Sequence, residues 1–177
     1  MKNSRDEDAV ELAADRLHSN AEVVAALLAD VDDAQARWRP APDHWSILEV
    51  VRHLADEEVE DFRTRLDLTL HHTGGSWPAI DPVGWVTSRG YNEGFLNDAK
   101  HRFFTRRGAS VGWLRTLDRP ELSRAYTHAR LGPISAADLL VSWVAHDHIH
   151  IRQLNRLKRA FFVESMKQGS PDYAGPW

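Results

Sequence analysis

The sequence predicts an all-α protein, a four-helix bundle with one long crossover connection. Three observations carry this expectation. Four stretches place apolar residues at helical spacing, two of them open with a capping box, and strand signals are nearly absent. Four helices joined by loops of unequal length are the pattern of a bundle with a crossover.

The first helix is expected from about Asp6 to Asp33, where Leu12, Leu17, Val24, Leu27, Leu28 and Val31 recur. Pro40 and Pro42 then force an extended segment. Ser46, with Glu49 three residues on, caps a second helix. Trp45 and Val50 are placed as its hydrophobic staple, and the apolar pattern continues through Val51, Leu54, Val59, Phe62, Leu66 and Leu70. His71 to Gly90 reads as a long connection, rich in Gly and Pro but carrying Trp77 and Trp85. Two tryptophans argue for an ordered, working loop, because disordered segments are poor in aromatics.

A third helix is expected from about Asn92 to Leu117, with a kink or break near Gly108. Tyr126 to Gly132 reads as extended and irregular. Ser135 and Asp138 cap the fourth helix, which runs to about Met166. The whole chain, 1–177, is read as one domain, with a core at about 6–166 and an irregular tail at 167–177.

Composition narrows the function classes. The net charge is −4 with no basic arm, which argues against nucleic-acid binding. Cysteine is absent, so there is no thiolate ligand, no cysteine nucleophile and no disulfide. That absence, the polar start of the chain and the lack of a long apolar run lead to the expectation of a cytoplasmic protein without a membrane span.

Ten histidines make their placement informative. With His146 set at zero on the fourth helix, Leu139 and Leu157 fall at about 20°, His150 at about 40° and Trp143 at about 60°. His148 falls at about 200°, on the opposite side. His146 and His150 therefore lie within the apolar stripe, one turn apart. His53, beside Val50 and Leu54 on the second helix, is the candidate third ligand. Three imidazoles and an open position suit a catalytic divalent metal, zinc or nickel. Hydrogen-bonded core histidines are the other reading of the same pattern.

Glu57, one turn beyond His53, is the one catalytic candidate, as a general base toward a water activated at the metal or as a partner orienting His53. Its place in the acidic run Asp56-Glu57-Glu58 tilts the balance toward a solvated side chain. Asp147 is placed for a half-buried structural role, anchoring a backbone amide or a tryptophan N–H. Arg152 and Gln153 read as surface residues, with substrate binding as the alternative. His71, His72, His101 and His128 read as surface or loop residues. Trp77 and Trp85 are placed to wall the pocket, pack over the bundle end or join a homodimer interface.

Two segments resemble a known family. Trp45-Ser46-Ile47-Leu48-Glu49-Val50-Val51-Arg52-His53-Leu54-Ala55-Asp56 resembles the second-helix motif of the DinB-like, or YfiT-like, metal-dependent enzymes. His128 to Ser135, followed by Trp143-Val144-Ala145-His146-Asp147-His148-Ile149-His150, resembles that family's fourth-helix signature. Arg89-Gly90-Tyr91-Asn92 is similar to the start of its third helix, and the resemblance spans about Trp38 to Phe161.

It implies a down-up-up-down bundle and a nickel or zinc ion held by His53, His146 and His150. It also implies a small-molecule substrate, with a low-molecular-weight thiol such as bacillithiol or mycothiol as cosubstrate of an S-transferase. A metal-dependent hydrolase and a non-catalytic metal- or ligand-binding stress-response protein are the alternatives.

Overall fold

The computed structural model describes residues 4–72 and 75–175. α1, Ser4–Leu27, turns Val10, Ala14, Leu17, Ala21 and Val24 inward at three- and four-residue intervals. Leu12, which the apolar pattern includes, points out and is 57 % exposed. The helix stops before Asp33 because Asp32 caps a separate short helix, α2 (Asp33–Arg37), by accepting from the Gln35 N–H.

The second long element is interrupted. α3, Ile47–Glu57, starts at the expected capping box of Ser46 and Glu49. A π-helical turn, Glu58–Arg63, follows, and α4, Thr64–His71, completes the element. On an uninterrupted α-helix, Phe62, Leu66 and Leu70 would drift to about 120–200° from Val50 and leave the core face. The i→i+5 turn absorbs one extra residue and rotates them back by about 100°. All three are buried as a result.

Residues 73 and 74 of the long connection lie outside the described residues, and the described part leading to α6 is structured. It holds α5, Pro82–Ser88, capped by Asp81, and a 3₁₀ turn at Tyr91–Glu93. α6, Leu96–Leu114, runs unbroken through Gly108, where a kink was expected. Gly108 and Gly112 face outward with nothing within 4 Å of a built Cβ, so both are tolerated at the cost of helix propensity alone.

The irregular segment expected around Tyr126 is a β-hairpin. β1, Ala125–His128, pairs antiparallel with β2, Gly132–Ser135, and Tyr126 lies opposite Ile134. Gly132, at φ 76°, supplies the left-handed residue its turn needs. Four-residue strands are too short for alternation to stand out in the sequence. α7, Ala136–Met166, begins at the second capping box and ends where Lys167 turns left-handed. Beyond it the described tail is irregular except for one 3₁₀ turn, Asp172–Ala174.

α1 packs on α6 and α7, and the α3–α4 element packs on the same two helices. Two apolar clusters fill the bundle. One gathers Val24, Leu28, Ile47, Val51, Phe103 and Leu154, the other Leu17, Phe62, Leu66, Leu114, Leu140 and Trp143. On every long helix the residues between the two clusters are polar: Asn20, His53 with Glu57 and Glu58, Arg107, and His146, Asp147 and His150. The bundle thus has a polar waist, and the histidines lie in it.

Candidate metal centre

One half of the waist is a closed ion-pair network. Arg107, 2 % exposed, donates Nε to Glu58 Oε2 at 2.9 Å and Nη1 and Nη2 to the two Asp147 oxygens at 2.7 and 2.8 Å. Nη1 also reaches the Leu17 carbonyl at 2.9 Å, and Asn20 Nδ2 donates to Asp147 Oδ2 at 3.1 Å. Asp147 is thus fully buried rather than half-buried, and its partners are side chains. The tryptophan N–H in this layer, from Trp143, goes to Glu58 Oε2 instead, at 3.2 Å. The fork of a guanidinium and the two oxygens of a carboxylate make this pairing strong where water is excluded.

The other half is the histidine cluster. α3 contributes His53, and α7 contributes His146 and His150 from successive turns. Their Nε2 atoms form a triangle with sides of 3.1, 3.1 and 3.3 Å. Imidazoles bound at about 2.0–2.1 Å to one ion sit about 2.9–3.4 Å apart for angles between octahedral and tetrahedral. The donor set and its spacing therefore fit a divalent ion. His148 points away and is exposed, as the helical geometry required.

The surroundings favour neutral imidazoles with bare Nε2 atoms. Burial, reinforced by the neighbouring His150, depresses His53 to about 3. Burial together with His150 and His53 depresses His146 to about 2, and burial lowers His150 as well. His150 Nδ1 donates to Gln153 Oε1 at 2.8 Å, which leaves the Nε2 lone pair facing the cluster. His53 Nδ1 is buried with no hydrogen-bond partner among the described residues. Three converging lone pairs in a largely buried layer are poorly compensated until a cation joins them.

Glu57 overturns the expectation of a solvated side chain. It is buried, with Oε2 3.1 Å from His146 Nε2 and 3.9 Å from His53 Nε2. Burial first, then the charge of Asp61, pushes its carboxyl up to about 8. Asp61 in turn pairs with Arg65 at 3.0 Å. Polarity alone made the acidic run look solvated; Glu57 lies on the core face of α3 with Val50 and His53, and Glu58 and Asp61 in the π-helical turn are buried beside it.

The aromatic walls are Trp45 and Phe62. The Trp45 ring lies 4.9 Å from that of His53 and stacks parallel to His150, and Phe62 lies 5.1 Å from His146. Trp77 instead stacks on Tyr126 beneath Arg65, and Trp85 lies under Arg89 at 4.0 Å. His71, His72 and His101 are exposed, and His128 takes the Arg130 and Leu131 N–H groups in the hairpin turn. Arg152 is exposed.

The profile of the DinB superfamily matches residues 16–154, a stretch that contains all three histidines and Glu57. The chain belongs to the DinB superfamily. The DinB assignment agrees with the architecture of a solved relative, YfiT from Bacillus subtilis. That protein superposes with a TM-score of 0.75 at 20 % identity, over 86 % of this chain and 87 % of its own. YfiT is described as a probable metal-dependent hydrolase with an unusual four-helix bundle topology. At this identity the likeness shows that the DinB chain shares its fold. No curated protein matches the sequence. Among the described residues no helix is long and apolar enough to cross a membrane.

Proposed function

We propose that this DinB protein is a metal-dependent hydrolase whose divalent ion, zinc or nickel, is held by His53, His146 and His150. The observation that carries the reading is the triangle of Nε2 atoms with the Glu57 carboxylate at its edge, 3.1 Å from His146. A divalent cation lowers the pKa of a water or thiol that it binds, which supplies a nucleophile at neutral pH. With the cation's charge keeping its carboxyl ionised, Glu57 Oε2 would take a proton from that nucleophile and return it to the leaving group. Gln153 holds the His150 ring in the tautomer that faces the ion. Trp45 and Phe62 keep water off the imidazole edges.

A small-thiol S-transferase is the second reading. It uses the same residues with sulfur as the nucleophile, and a chain without cysteine must take that sulfur from a cosubstrate. The YfiT description favours the hydrolase; the family resemblance of the two histidine segments favours the thiol.

The test begins with elemental analysis of protein purified without a histidine tag, with about one zinc or nickel per chain expected. Metal-loaded protein is then assayed on ester and amide panels and, separately, with low-molecular-weight thiols plus a chromogenic electrophile. Metal-dependent hydrolysis lost in Glu57→Gln supports the first reading. Thiol conjugation without hydrolysis replaces it with the second. Absence of metal from the protein after incubation with either ion removes both.

A further inference from the structure

The metal centre shares two of its side chains with a separate cleft. The cleft has a volume of about 300 Å³ and lies between the segment before α3 and the third quarter of α7. His44, Trp45, Gln153, Arg156 and Arg159 line it, over an apolar patch from Leu157. Trp45 stacks against His150, and Gln153 accepts from the Nδ1 of the same histidine. A molecule in the cleft therefore touches both side chains that hold His150 in place.

The charge of the lining is opposite to that of the protein. The chain carries 26 acidic against 22 basic residues, yet two arginines and a histidine line this cleft and no carboxylate does. Asp43 is the nearest acid in the sequence; it is exposed and hydrogen-bonds His44 from outside the lining at 3.0 Å. Arg156 is exposed on α7. A guanidinium fork recognises planar oxyanions in two-point fashion, and an indole face accepts a flat apolar body. The volume is at the small end of ligand pockets, the size for one ring or a short acyl chain.

We propose that this cleft binds the carboxylate-bearing part of the substrate, so that the protein acts on small organic acids whose reacting group lies toward the metal centre. The proposal rests on the metal-dependent reading above for the chemistry, and on the cleft alone for the recognition. Arg156 carries the charge contact, Trp45 packs on the body of the acid, and Gln153 relays occupancy of the cleft to His150.

Zinc-loaded, ¹⁵N-labelled full-length protein titrated with benzoate tests this, with benzyl alcohol as the neutral analogue. Amide and indole shifts are expected at His44, Trp45, Gln153 and Arg156 with benzoate, and none with the alcohol. Arg156→Glu is expected to weaken benzoate by about tenfold or more, the scale of one charge-assisted hydrogen bond, with zinc content unchanged. Arg156 is exposed, so the variant folds. Shifts centred elsewhere, equal binding of the alcohol, or undiminished benzoate binding in Arg156→Glu would overturn the proposal, the last by showing that Arg156 does not carry the charge contact. Zinc content of the same samples reports separately on the metal centre, and the titration repeated on metal-free protein reads the cleft whether or not zinc binds.

Discussion

The two halves of the polar waist are built from the same kinds of material and finished differently. Around Arg107 every guanidinium nitrogen meets a carboxylate or a carbonyl, so the protein itself closes the network around the cation and leaves Glu58 Oε1 without a hydrogen-bond partner among the described residues. Around His53, His146 and His150 the acceptors face one another and the closure is left to something else. The first half is organised to hold four helices in register. The second spends that rigidity on a site, since ligands on two helices keep their spacing only if the helices cannot slide. A buried ion pair adds little net stability, but breaking it leaves a charge stranded. The Arg107 network is thus the fixed frame against which the histidines are set.

The largest expected effect separates the halves directly. His53→Ala, His146→Ala and His150→Ala should each reduce metal affinity by more than the roughly 10–100-fold typical of losing an outer partner. Gln153→Ala should fall within that window, and His148→Ala should leave metal content unchanged. Equilibrium dialysis against a competing chelator measures all five. Retention of the ion by His146→Ala together with its loss from His148→Ala would reverse the assignment of helix faces.

Next is Arg107→Leu, which strands the Glu58 and Asp147 carboxylates. It should lower unfolding stability by about 3–5 kcal/mol in urea titrations. His146→Leu in metal-free protein should cost far less, because it removes a poorly compensated group. Similar losses in the two variants would erase the distinction between a closed and an open half.

The pH dependence of the metal-free protein sharpens the same point. With His53 near 3 and His146 near 2 when folded, the unfolded chain takes up protons that the native state refuses as pH falls below the ordinary 6.5. Stability conferred by the neutral imidazoles is therefore whole above 6.5 and lost progressively toward pH 3. Glu57 runs the other way. Its folded value of about 8 lies above the ordinary 4.5, so its contribution is whole below 4.5 and lost as pH rises toward 8. Urea midpoints should decline on both sides of about pH 6.5, and Glu57→Gln should abolish the alkaline decline and steepen the acidic one between about 4.5 and 6.5. An unchanged alkaline limb in that variant would remove Glu57 from the account.

The smallest effect serves as a control. Gly112→Ala, on an outward helical face with open space around it, should stabilise by about 1 kcal/mol and leave metal binding alone. A parallel rise in metal affinity would mean that the ligand variants report global stability rather than the site.

Helical period and capping chemistry are local, and they were legible without coordinates. Ser46 with Glu49 and Ser135 with Asp138 form the boxes their spacing required. The i, i+4 spacing of His146 and His150 placed both in the apolar stripe of one helix, because rotation per residue is fixed by the backbone. What the sequence could not determine was which polar residues the fold takes inside. Glu57, Glu58 and Asp61 stand in an acidic run that any polarity scale places in water, and Asp147 is flanked by histidines. The burial of Glu58 and Asp147 follows from the position of Arg107 on another helix, 49 and 40 residues away, and Glu57 lies on the core face of α3. Trp45 likewise meets His150 only when the segment before α3 is packed against α7, whereas Gln153 reaches His150 from three residues on in the same helix. Local rules fix where a side chain points from its own helix; whether that direction leads to water, a countercharge or two more imidazoles depends on packing between distant segments, and that is decided by the tertiary structure alone.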